Sequence, residues 1–417
     1  MKKALNIILI ALLTLTVIGI LAGAVYVAIG YINDGGETAT DTRRLHAEGS
    51  EIKNAAGETV LLKAINAGGL FIQEGWMSPT LLSAEPGVGV PDHISMLETL
   101  RSRFGYERAK ELTDIYEASF WGEKDFDNVK ELGFNAIRLP FAYFNLENAE
   151  GELTEFAALD RFIDECDKRD IYVILDLHGA YGSQNGNDHS GSVEGSYLFT
   201  DEENMSKTVK LWETVAARYR DRDIIAGYDL LNEPSGNFGY TNIVQFTFYD
   251  RLYEAVRKID PDRMLIMEAV WEAKDLPDPG NKLYGWENVC YSYHNYCWGE
   301  GETDFAVQKA FVDKKLADYA ALSYEVPKFV GEFTCFGLKE GWEYTLNAYE
   351  SAGISYAIWT YKTVGDSGMG NWGAYSKLMT DAEKVDVSND SYEEIAAKWS
   401  SLDTSGFTKT ALYAEYL

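Results

Sequence analysis

The 417-residue sequence predicts an α/β fold, a (β/α)8 TIM barrel, from three observations. Eight short apolar runs recur along the chain, and near-continuous apolar runs are typical of parallel strands covered on both faces. Segments with the spacing of amphipathic helices separate these runs. Eight strand–helix units in a chain of this length favour one closed barrel, and an open doubly wound sheet is the alternative.

The predicted strands follow one another from residue 60 to residue 360. They are Val60–Asn66, Asn135–Phe141, Ile171–His178, Ile224–Asn232, Arg263–Ala269, Asn288–His294, Lys328–Phe333 and Ile354–Thr360. Among the helical segments, Leu159, Phe162 and Cys166 share one helix face, and Thr200–Asp201 signals the start of the next helix. The Pro- and Gly-rich stretch 275–285 predicts a long surface loop where a helix would otherwise lie.

The residues just before the first strand predict a cap for the barrel. Residues 49–64 alternate between polar and apolar side chains around a turn at 54–57. This pattern is that of a β-hairpin, and its place ahead of the strands suggests that it covers one end of the barrel. We therefore expect the barrel domain to span residues 49–417.

The amino-terminal 33 residues have a different composition. Lys2 and Lys3 precede an uncharged, largely apolar run from Ala4 to Asn33, long enough to span a bilayer as a helix. We expect an uncleaved signal-anchor or transmembrane segment at 1–33 and a polar tether at 34–48, with a signal peptide cleaved near residues 21–24 as the alternative. The two lysines then stay in the cytoplasm, and the barrel lies outside the cell membrane or is secreted.

The net charge of −29 restricts the classes of partner. An acidic chain is repelled by nucleic acids and anionic lipid surfaces, so nucleic-acid binding is not expected. A neutral glycan meets no such repulsion. The 27 Tyr and 10 Trp residues suit stacking on sugar faces and equally suit a large aromatic core. We expect the chain to be a monomer.

Neither a metal nor an organic cofactor is predicted. The four cysteines have no C-x-x-C spacing, and no H-E-x-x-H, G-x-S-x-G or glycine-rich phosphate motif occurs. Cys297 and Cys335 could form a disulfide in an exported chain, but free buried thiols are favoured. Asp188 and His189 lie in a loop rich in Gly, Asn and Ser, and we interpret them as solvated or substrate-facing.

Two glutamates end buried strands in the same way. Asn232 and Glu233 follow the apolar run that begins at Ile224, and Pro234 ends strand pairing because it has no N–H to donate. Glu332 ends another such run. The carboxyl ends of barrel strands converge on one cavity, so the two carboxylates are expected to face each other. Each glutamate alone could be a solvated turn residue, but the presence of two such glutamates favours a catalytic role.

Two carboxylates in one cavity suit glycoside hydrolysis. One gives a proton to the leaving oxygen, and the other attacks the anomeric carbon or activates water. Their mutual repulsion pushes the two pKa values apart, which makes this division possible. Other chemistry-bearing side chains at strand ends are Arg138, Asp176, His178, His294, Tyr296 and Trp359. Viewed singly, the arginine could be an ion-pair partner of Asp176, and the histidines and tryptophan could be core residues.

This set of residues resembles that of glycoside hydrolase family 5, the cellulase family, over about Leu61–Tyr375. The family's recurrent Arg, His, Asn-Glu, His-x-Tyr, Glu and Trp match Arg138, His178, Asn232, Glu233, His294, Tyr296, Glu332 and Trp359. The resemblance implies a barrel fold, a retaining mechanism and no cofactor. It implies that Glu233 is the acid/base and Glu332 the nucleophile, held by Arg138 and Tyr296. It also implies that Asn232 contacts the sugar 2-hydroxyl and that His294 lies near the acid/base. His178 and Trp359 would line the sugar subsite.

Two stretches are similar to the exo-β-1,3-glucanase branch of that family. They are N-A-G-G…E-G-W…P at 66–79 and D-L-H-G-A-Y-G-S-Q-N-G at 176–186, although that branch more often has Pro where Tyr181 stands. The expected substrate is a β-1,3- or β-1,4-linked glucan, with an endo-β-1,4-glucanase, a mannan- or glycolipid-active enzyme and a non-catalytic glycan-binding module as alternatives. A pocket closed by the insertion 71–116 would favour exo action.

Overall fold

Eight parallel strands close into a barrel, which confirms the predicted architecture. The structure is a computed structural model that describes residues 41–235, 242–269, 272–365, 372–379 and 384–411. The strands are β1 (Leu45–Glu48), β2 (Glu51–Asn54), β3 (Lys63–Asn66), β4 (Ala136–Ala142), β5 (Tyr172–Gly179), β6 (Ile225–Asp229), β7 (Leu265–Glu268), β8 (Val289–Asn295), β9 (Lys328–Phe333), β10 (Ser355–Ile358), β11 (Lys362–Gly365), β12 (Tyr375–Leu378) and β13 (Thr408–Lys409). Strands β3 to β10 form the barrel, and β11 to β13 form a small separate sheet.

The barrel closes between its first and last strands. Neighbours run in the order β10, β3, β4, β5, β6, β7, β8, β9, and every pair is parallel. Every residue of β4, β6, β7 and β10 is buried, because both faces of the sheet are covered. β6 ends at Asp229 rather than at Asn232, although the amides of Leu230 and Asn232 still donate to Ile266 and Leu177 on either side.

Helices cover the outside of the barrel. Among the described residues they are α1 (His93–Phe104), α2 (Tyr106–Phe120), α3 (Glu123–Glu131), α4 (Ala157–Asp167), α5 (Glu202–Tyr219), α6 (Asn242–Arg257), α7 (Phe305–Ala320), α8 (Lys339–Ser351) and α9 (Tyr392–Trp399). Asp201 caps α5 by accepting from the amide of Glu203, at the predicted start. Between β7 and β8 the described residues contain only a 3-10 turn, Ala273–Asp275, which agrees with the predicted surface loop.

The hairpin of β1 and β2 covers the amino-terminal end of the barrel. Leu45 and Ile52 pack in one apolar cluster with residues near the amino ends of the strands, among them Ala136 and Ala226. The turn predicted at 54–57 is present after β2: Lys53 and Thr59 form an antiparallel bridge across it, and Val60 N donates to Ile52 O at 2.8 Å. The prediction missed β1, which pairs with β2 across residues 49–50.

The folded unit begins earlier in the chain than predicted. β1 lies within the residues assigned to a polar tether, 34–48, and the compact unit starts at Arg43. Arg43 and Arg44 reach Asp167 and Asp223 on the barrel at 2.7 and 2.6 Å. Leu45 is fully buried, but a single apolar residue among polar neighbours gives no periodicity from which a strand could be predicted.

Two expectations concern export of the chain. The predicted signal-anchor, residues 1–33, lies outside the described residues. Within the described part of the chain, none of the helices combines the length and apolar character that crossing a bilayer requires. All four cysteines are free and buried, so the disulfide considered between Cys297 and Cys335 is not formed.

Candidate active site

A cavity of about 750 Å³ opens at the carboxyl ends of the barrel strands. Seven of the eight site residues predicted from the sequence line it, namely His178, Asn232, Glu233, His294, Tyr296, Glu332 and Trp359. The eighth, Arg138, is fully buried and contacts Glu332 from below the cavity surface. The strand-end positions therefore bring all eight side chains together at one place.

The two glutamates face each other across this cavity. One carboxylate oxygen of Glu233 and one of Glu332 lie within 4.8 Å of each other, and a ring nitrogen of His294 lies within the same distance of both. Retaining glycosidases hold their carboxyl groups about 5–5.5 Å apart, whereas inverting enzymes need roughly 6.5–9.5 Å to admit a water. The observed separation fits the retaining geometry.

Glu233 reaches the cavity from a strained backbone position. Its φ of 44° lies in the left-handed region, which is costly for a residue with a Cβ atom. The Glu233 N–H donates to Glu268 Oε2 at 2.6 Å, and its carbonyl accepts from Asn185 Nδ2 at 3.2 Å. The turn that presents the Glu233 carboxylate is therefore fixed on both sides of the residue.

Arg138 binds the ends of several strands together. Its guanidinium donates to Asp229 at 2.9 Å, Glu332 at 2.9 Å, Glu268 at 2.8 Å, Asn232 at 2.9 Å and Asn66 at 3.2 Å, and it lies 3.1 Å from Asp176. Burial raises the pKa of Asp176 to about 8, although Arg138 acts in the opposite direction. At Asp176, burial thus favours the neutral acid, whereas Arg138 favours the carboxylate.

Glu332 is held at both of its oxygens. Arg138 binds Oε1, and the Tyr296 hydroxyl donates to Oε2 at 2.8 Å. Burial, followed by the charge of Glu332, raises the pKa of Tyr296 well above its usual value, so the phenol stays protonated and remains a donor. Donors on both oxygens fix the orientation of the carboxylate.

A second group of side chains lies on the β5 and β10 side of the cavity. His178 Nδ1 is 2.6 Å from Asp176 Oδ2, and its ring stacks nearly parallel to Trp359 with centroids 5.5 Å apart. Burial lowers the pKa of His178 to about 3, so this imidazole is neutral. Gln184 Nε2 donates to the carbonyls of both His178 and Asn232 and ties the ends of β5 and β6 together.

Glu233 and His294 share one proton. Burial raises the pKa of Glu233, but the hydrogen bond from His294 and the charges of His189 and His294 lower it more, so its pKa lies below the ordinary value. Burial lowers the pKa of His294, but the charges of Glu268 and Glu332 and the bond to Glu233 raise it well above its usual value. The proton therefore resides on His294 Nδ1, which is 2.7 Å from Glu233 Oε1.

Glu268 is a site residue that the sequence analysis missed. It ends β7 just as Glu233 follows β6 and Glu332 lies near the end of β9. Its oxygens accept from Arg138 and from the Glu233 N–H, and Oε1 lies 3.2 Å from His294 Nε2. The rule that located the other carboxylates, an acidic residue at a strand end, would also have located this one.

Side chains from loops outside the barrel strands also line the cavity. Among them are Glu74, Trp76, Asp188 and His189. Glu74 is buried and accepts from Trp76 Nε1 at 2.6 Å, and His189 Nε2 lies 3.4 Å from Glu233 Oε2. These contacts bear out the interpretation of residues 188 and 189 as facing the cavity. Glu272, Trp298, Phe311 and Lys315 also line the cavity, and Trp372 lies between Trp298 and Trp76, with ring centroids 5.5 and 5.1 Å away.

Three groups in the described residues have ligand atoms close enough together to hold a cation. In two of them a cationic side chain is already present: Arg138 lies among Asp176, Asp229 and Glu268, and His294 lies between Glu233 and Glu332. The third group is Glu74, Asp188 and His189. The prediction that catalysis needs no cofactor stays a prediction.

Comparison with known proteins finds curated relatives of this chain. A beta-xylosidase of Phanerodontia chrysosporium is 33% identical over 262 residues, which make up 60% of this chain and 52% of the relative. A glucan 1,3-beta-glucosidase of Candida oleophila is 30% identical over 251 residues, 56% of this chain and 58% of the relative. The chain thus spans little more than half the length of these two relatives.

Solved structures support the barrel. A rutinosidase from Aspergillus niger has a TM-score of 0.59 at 17% identity, covering 73% of this chain and 90% of that chain. An endogalactoceramidase has a TM-score of 0.56 at 20% identity, covering 86% and 84%. At these identities the likeness shows the fold alone. A family model described as cellulase (glycosyl hydrolase family 5) matches residues 107–365, more than half of the chain, and the chain belongs to this family.

Proposed function

We propose that this chain is a retaining glycoside hydrolase that cleaves β-glucosidic bonds in β-1,3- or β-1,4-linked glucans and acts from the chain end. The observation that carries the proposal is the approach of a Glu233 oxygen and a Glu332 oxygen to within 4.8 Å inside one cavity. Membership of family 5 and the names of the curated relatives support the substrate class.

In the first half of the reaction Glu332 is the nucleophile. Its carboxylate, oriented by Arg138 and Tyr296, attacks the anomeric carbon. The bond from that carbon to the leaving oxygen breaks, and the leaving oxygen takes a proton from Glu233. The proton reaches Glu233 Oε1 from His294 Nδ1, since the two atoms are 2.7 Å apart. The product is a glycosyl ester of Glu332 and a free leaving-group alcohol.

In the second half, water attacks the same anomeric carbon. Glu233 takes the water proton as the ester bond to Glu332 breaks and passes it back to His294 Nδ1, so all three side chains return to their starting states. Arg138 holds Asn232 Oδ1 at 2.9 Å, and Asn232 Nδ2 lies 3.4 Å from His178 Nε2. The second N–H of this amide can donate to the sugar 2-hydroxyl. Two displacements at one carbon retain the β configuration.

Action from the chain end is supported by the loop side chains that line the cavity together with the two glutamates. The insertion between β3 and β4 supplies Glu74 and Trp76 there, and Asp188 comes from the loop after β5. Burial raises the pKa of Glu74 well above its ordinary value, and the charges of Asp188, Glu332 and Glu233 add to this effect. A protonated Glu74 can both donate to and accept from the hydroxyls of a terminal sugar.

The proposal is tested with laminarin, carboxymethylcellulose and aryl β-glucosides, and with an aryl β-xyloside because one relative is named a beta-xylosidase. We expect turnover of the aryl β-glucoside, release of short sugars from laminarin ends and no fall in the viscosity of carboxymethylcellulose. Proton NMR should show the β-anomer as the first product. A first product in the α configuration, or no turnover of any β-glycoside, would refute the proposal.

We further propose that the enzyme works outside the cell as a monomer, tethered through residues 1–33. The apolar composition of that segment and the two lysines ahead of it support an anchor. Fractionation of cells that express the full chain tests this. We expect the protein in the membrane fraction and accessible to protease added to intact cells, and a cytosolic protein would contradict the proposal. Light scattering of the detergent-solubilised protein tests the monomer.

A further inference from the structure

Glu268 is a buried carboxylate of the site that neither half of the proposed reaction uses. It is the last residue of β7 and lines the cavity, yet it is only 1% exposed. Two side chains of α6 hold its backbone. The Tyr249 hydroxyl and the Gln245 amide lie 3.3 and 3.0 Å from its carbonyl oxygen, and its N–H donates to the Tyr249 oxygen at 3.1 Å. The end of β7 is therefore fixed against α6, and so is the point from which the carboxylate extends.

One oxygen of Glu268 supports the turn that presents Glu233. Oε2 accepts from the Glu233 N–H at 2.6 Å. The φ of Glu233, 44°, is costly for a residue with a Cβ atom and persists only where neighbouring groups hold it. Asn185 holds the carbonyl side of this residue at 3.2 Å, and Glu268 holds the amide side. A hydrogen bond to a charged acceptor is stronger than one to a neutral acceptor, so the carboxylate suits this position.

The other oxygen faces two cationic side chains. Oε1 accepts from Arg138 at 2.8 Å and lies 3.2 Å from His294 Nε2. On the opposite edge of the imidazole, Nδ1 lies 2.7 Å from Glu233 Oε1 and 3.5 Å from Glu332 Oε2. Each ring nitrogen of His294 thus has a carboxylate oxygen beside it. These surroundings favour the imidazolium, which carries a proton on both nitrogens.

Charged and titratable groups face this imidazole from several elements. They are Arg138 on β4, Asp176 on β5, His189 after β5, Asp229 on β6, Glu233 after β6, Tyr249 on α6, Glu268 on β7, Tyr296 after β8 and Glu332 on β9. Burial lowers the pKa of His294, and the charge of Glu268 is the foremost effect that raises it, ahead of the charge of Glu332. The carboxylate that the reaction does not use is therefore the one that most favours a protonated His294.

We propose that Glu268 is the positioning residue of the acid/base: its carboxylate keeps a proton on His294 for delivery to Glu233 and holds the turn that aims Glu233 at the leaving oxygen. The inference rests on the proposed function and deepens it. Glu268 itself gains and loses no proton. The transferred proton moves from His294 Nδ1 to Glu233 Oε1 and on to the leaving oxygen, while the proton on Nε2 stays beside Glu268.

Glu268→Gln tests this role because it removes the charge and keeps the volume. Two substrates are compared, phenyl β-glucoside, whose leaving group needs a proton, and 2,4-dinitrophenyl β-glucoside, whose leaving group does not. For the phenyl glucoside we expect the alkaline limb of kcat/KM to move to lower pH by about one to three pH units. Above this limb the loss is then about tenfold or more, whereas the dinitrophenyl glucoside loses less than about threefold. Equal losses for both substrates at every pH would show that Glu268 only supports the fold.

Two further variants separate charge from shape. Glu268→Asp keeps a carboxylate near His294, so we expect its alkaline limb to lie closer to that of the unchanged enzyme than the limb of Glu268→Gln does. Glu254 is exposed on α6, and Glu254→Gln makes the same chemical change there without altering the pH profile. If Glu268→Asp and Glu268→Gln move the limb equally, the charge does not hold the proton and the proposal is overturned.

A titration that needs no turnover keeps this inference separate from the proposed function. The chain has five histidines, so full-length protein with ring-labelled histidine gives few NMR signals, and His294→Gln identifies the signal of His294. We expect His294 to lose its proton at lower pH in Glu268→Gln. If it does so but no β-glycoside is hydrolysed, the proposed function fails and the role of Glu268 in holding the proton stands. If β-glycosides are hydrolysed but neither the signal nor the alkaline limb moves, this role is refuted and the proposed function stands.

Discussion

At the scale of the residue, the position of a side chain at the end of a strand was the feature that best predicted the site residues. Glu233 and Glu332 were located because each follows a buried apolar run, and barrel strands converge at their carboxyl ends. The left-handed φ of Glu233 and its support by Asn185 and Glu268 could not be predicted, because they depend on tertiary contacts between three strands' loops. The sequence shows which side chains meet, whereas their hydrogen bonds depend on the folded backbone.

The first prediction concerns the nucleophile. Glu332→Gln removes the charge that attacks the anomeric carbon but keeps the volume and the hydrogen-bond acceptor toward Arg138. We expect kcat for an aryl β-glucoside to fall by roughly 10⁴-fold or more, with the midpoint of thermal unfolding nearly unchanged. The matched control is Glu340→Gln at an exposed position, which should keep full activity. A Glu332→Gln protein with substantial activity would exclude Glu332 as the nucleophile.

The second prediction concerns the shared proton. The His294 pKa is raised above 6.5, so the Glu233–His294 pair keeps its proton at neutral pH and loses it only as the pH rises through that raised value. His294→Gln removes the positive charge and leaves Glu233 alone to hold the proton, and the ordinary pKa of a glutamate is only 4.5. We expect the alkaline limb of kcat/KM to move to lower pH, most clearly for a phenyl glucoside, whose leaving group needs protonation. An unmoved alkaline limb would show that His294 does not hold this proton.

At the scale of the element, all eight predicted strands and the turn predicted at 54–57 exist, whereas β1 was missed. Strands of the barrel carry continuous apolar runs because both faces are covered, and such runs are visible in the sequence. β1 contributes one fully buried residue, Leu45, and shows no such run. An element that buries a single side chain shows no periodic pattern, so it cannot be predicted from periodicity, even where it covers the end of a barrel.

The third prediction concerns the side chain that ties strand ends together. Arg138→Met leaves Glu268, Glu332 and their buried neighbours without a cation, and removal of one partner from a buried ion pair costs about 3–5 kcal/mol. His294 and Arg138 are among the charges that hold the pKa of Glu268 below its ordinary value, so without Arg138 that pKa rises and the destabilisation is largest where Glu268 is ionised. Urea unfolding should therefore show a loss that shrinks from pH 7 to pH 5. A loss independent of pH would mean that packing, not charge, is responsible.

At the scale of the whole molecule, the barrel and its cavity were predictable, and the extent of the folded unit was not. Family membership covers residues 107–365, and the compact unit begins at Arg43. The insertion between β3 and β4 supplies Glu74 and Trp76 to the cavity, yet it carries no strand period that would place it. Its position depends on close backbone contacts such as that of Gly75 with Leu82. Substrate preference thus depends on the part of the chain that the sequence pattern describes least.

The last prediction concerns where the folded unit starts. A chain that begins at Arg43 keeps Leu45 packed in the end of the barrel and keeps the Arg44–Asp223 ion pair at 2.6 Å. Urea titration should therefore give it the same free energy of unfolding as the full chain. A chain that begins at Gly49 loses both and exposes the cluster around Ala136, which should cost about 2–5 kcal/mol, as for loss of a buried leucine. Leu45→Ala in the longer chain is the matched control and should reproduce most of this loss. If the chain that begins at Gly49 is as stable as the chain that begins at Arg43, β1 is a surface attachment, and residues 43–48 belong to the tether after all.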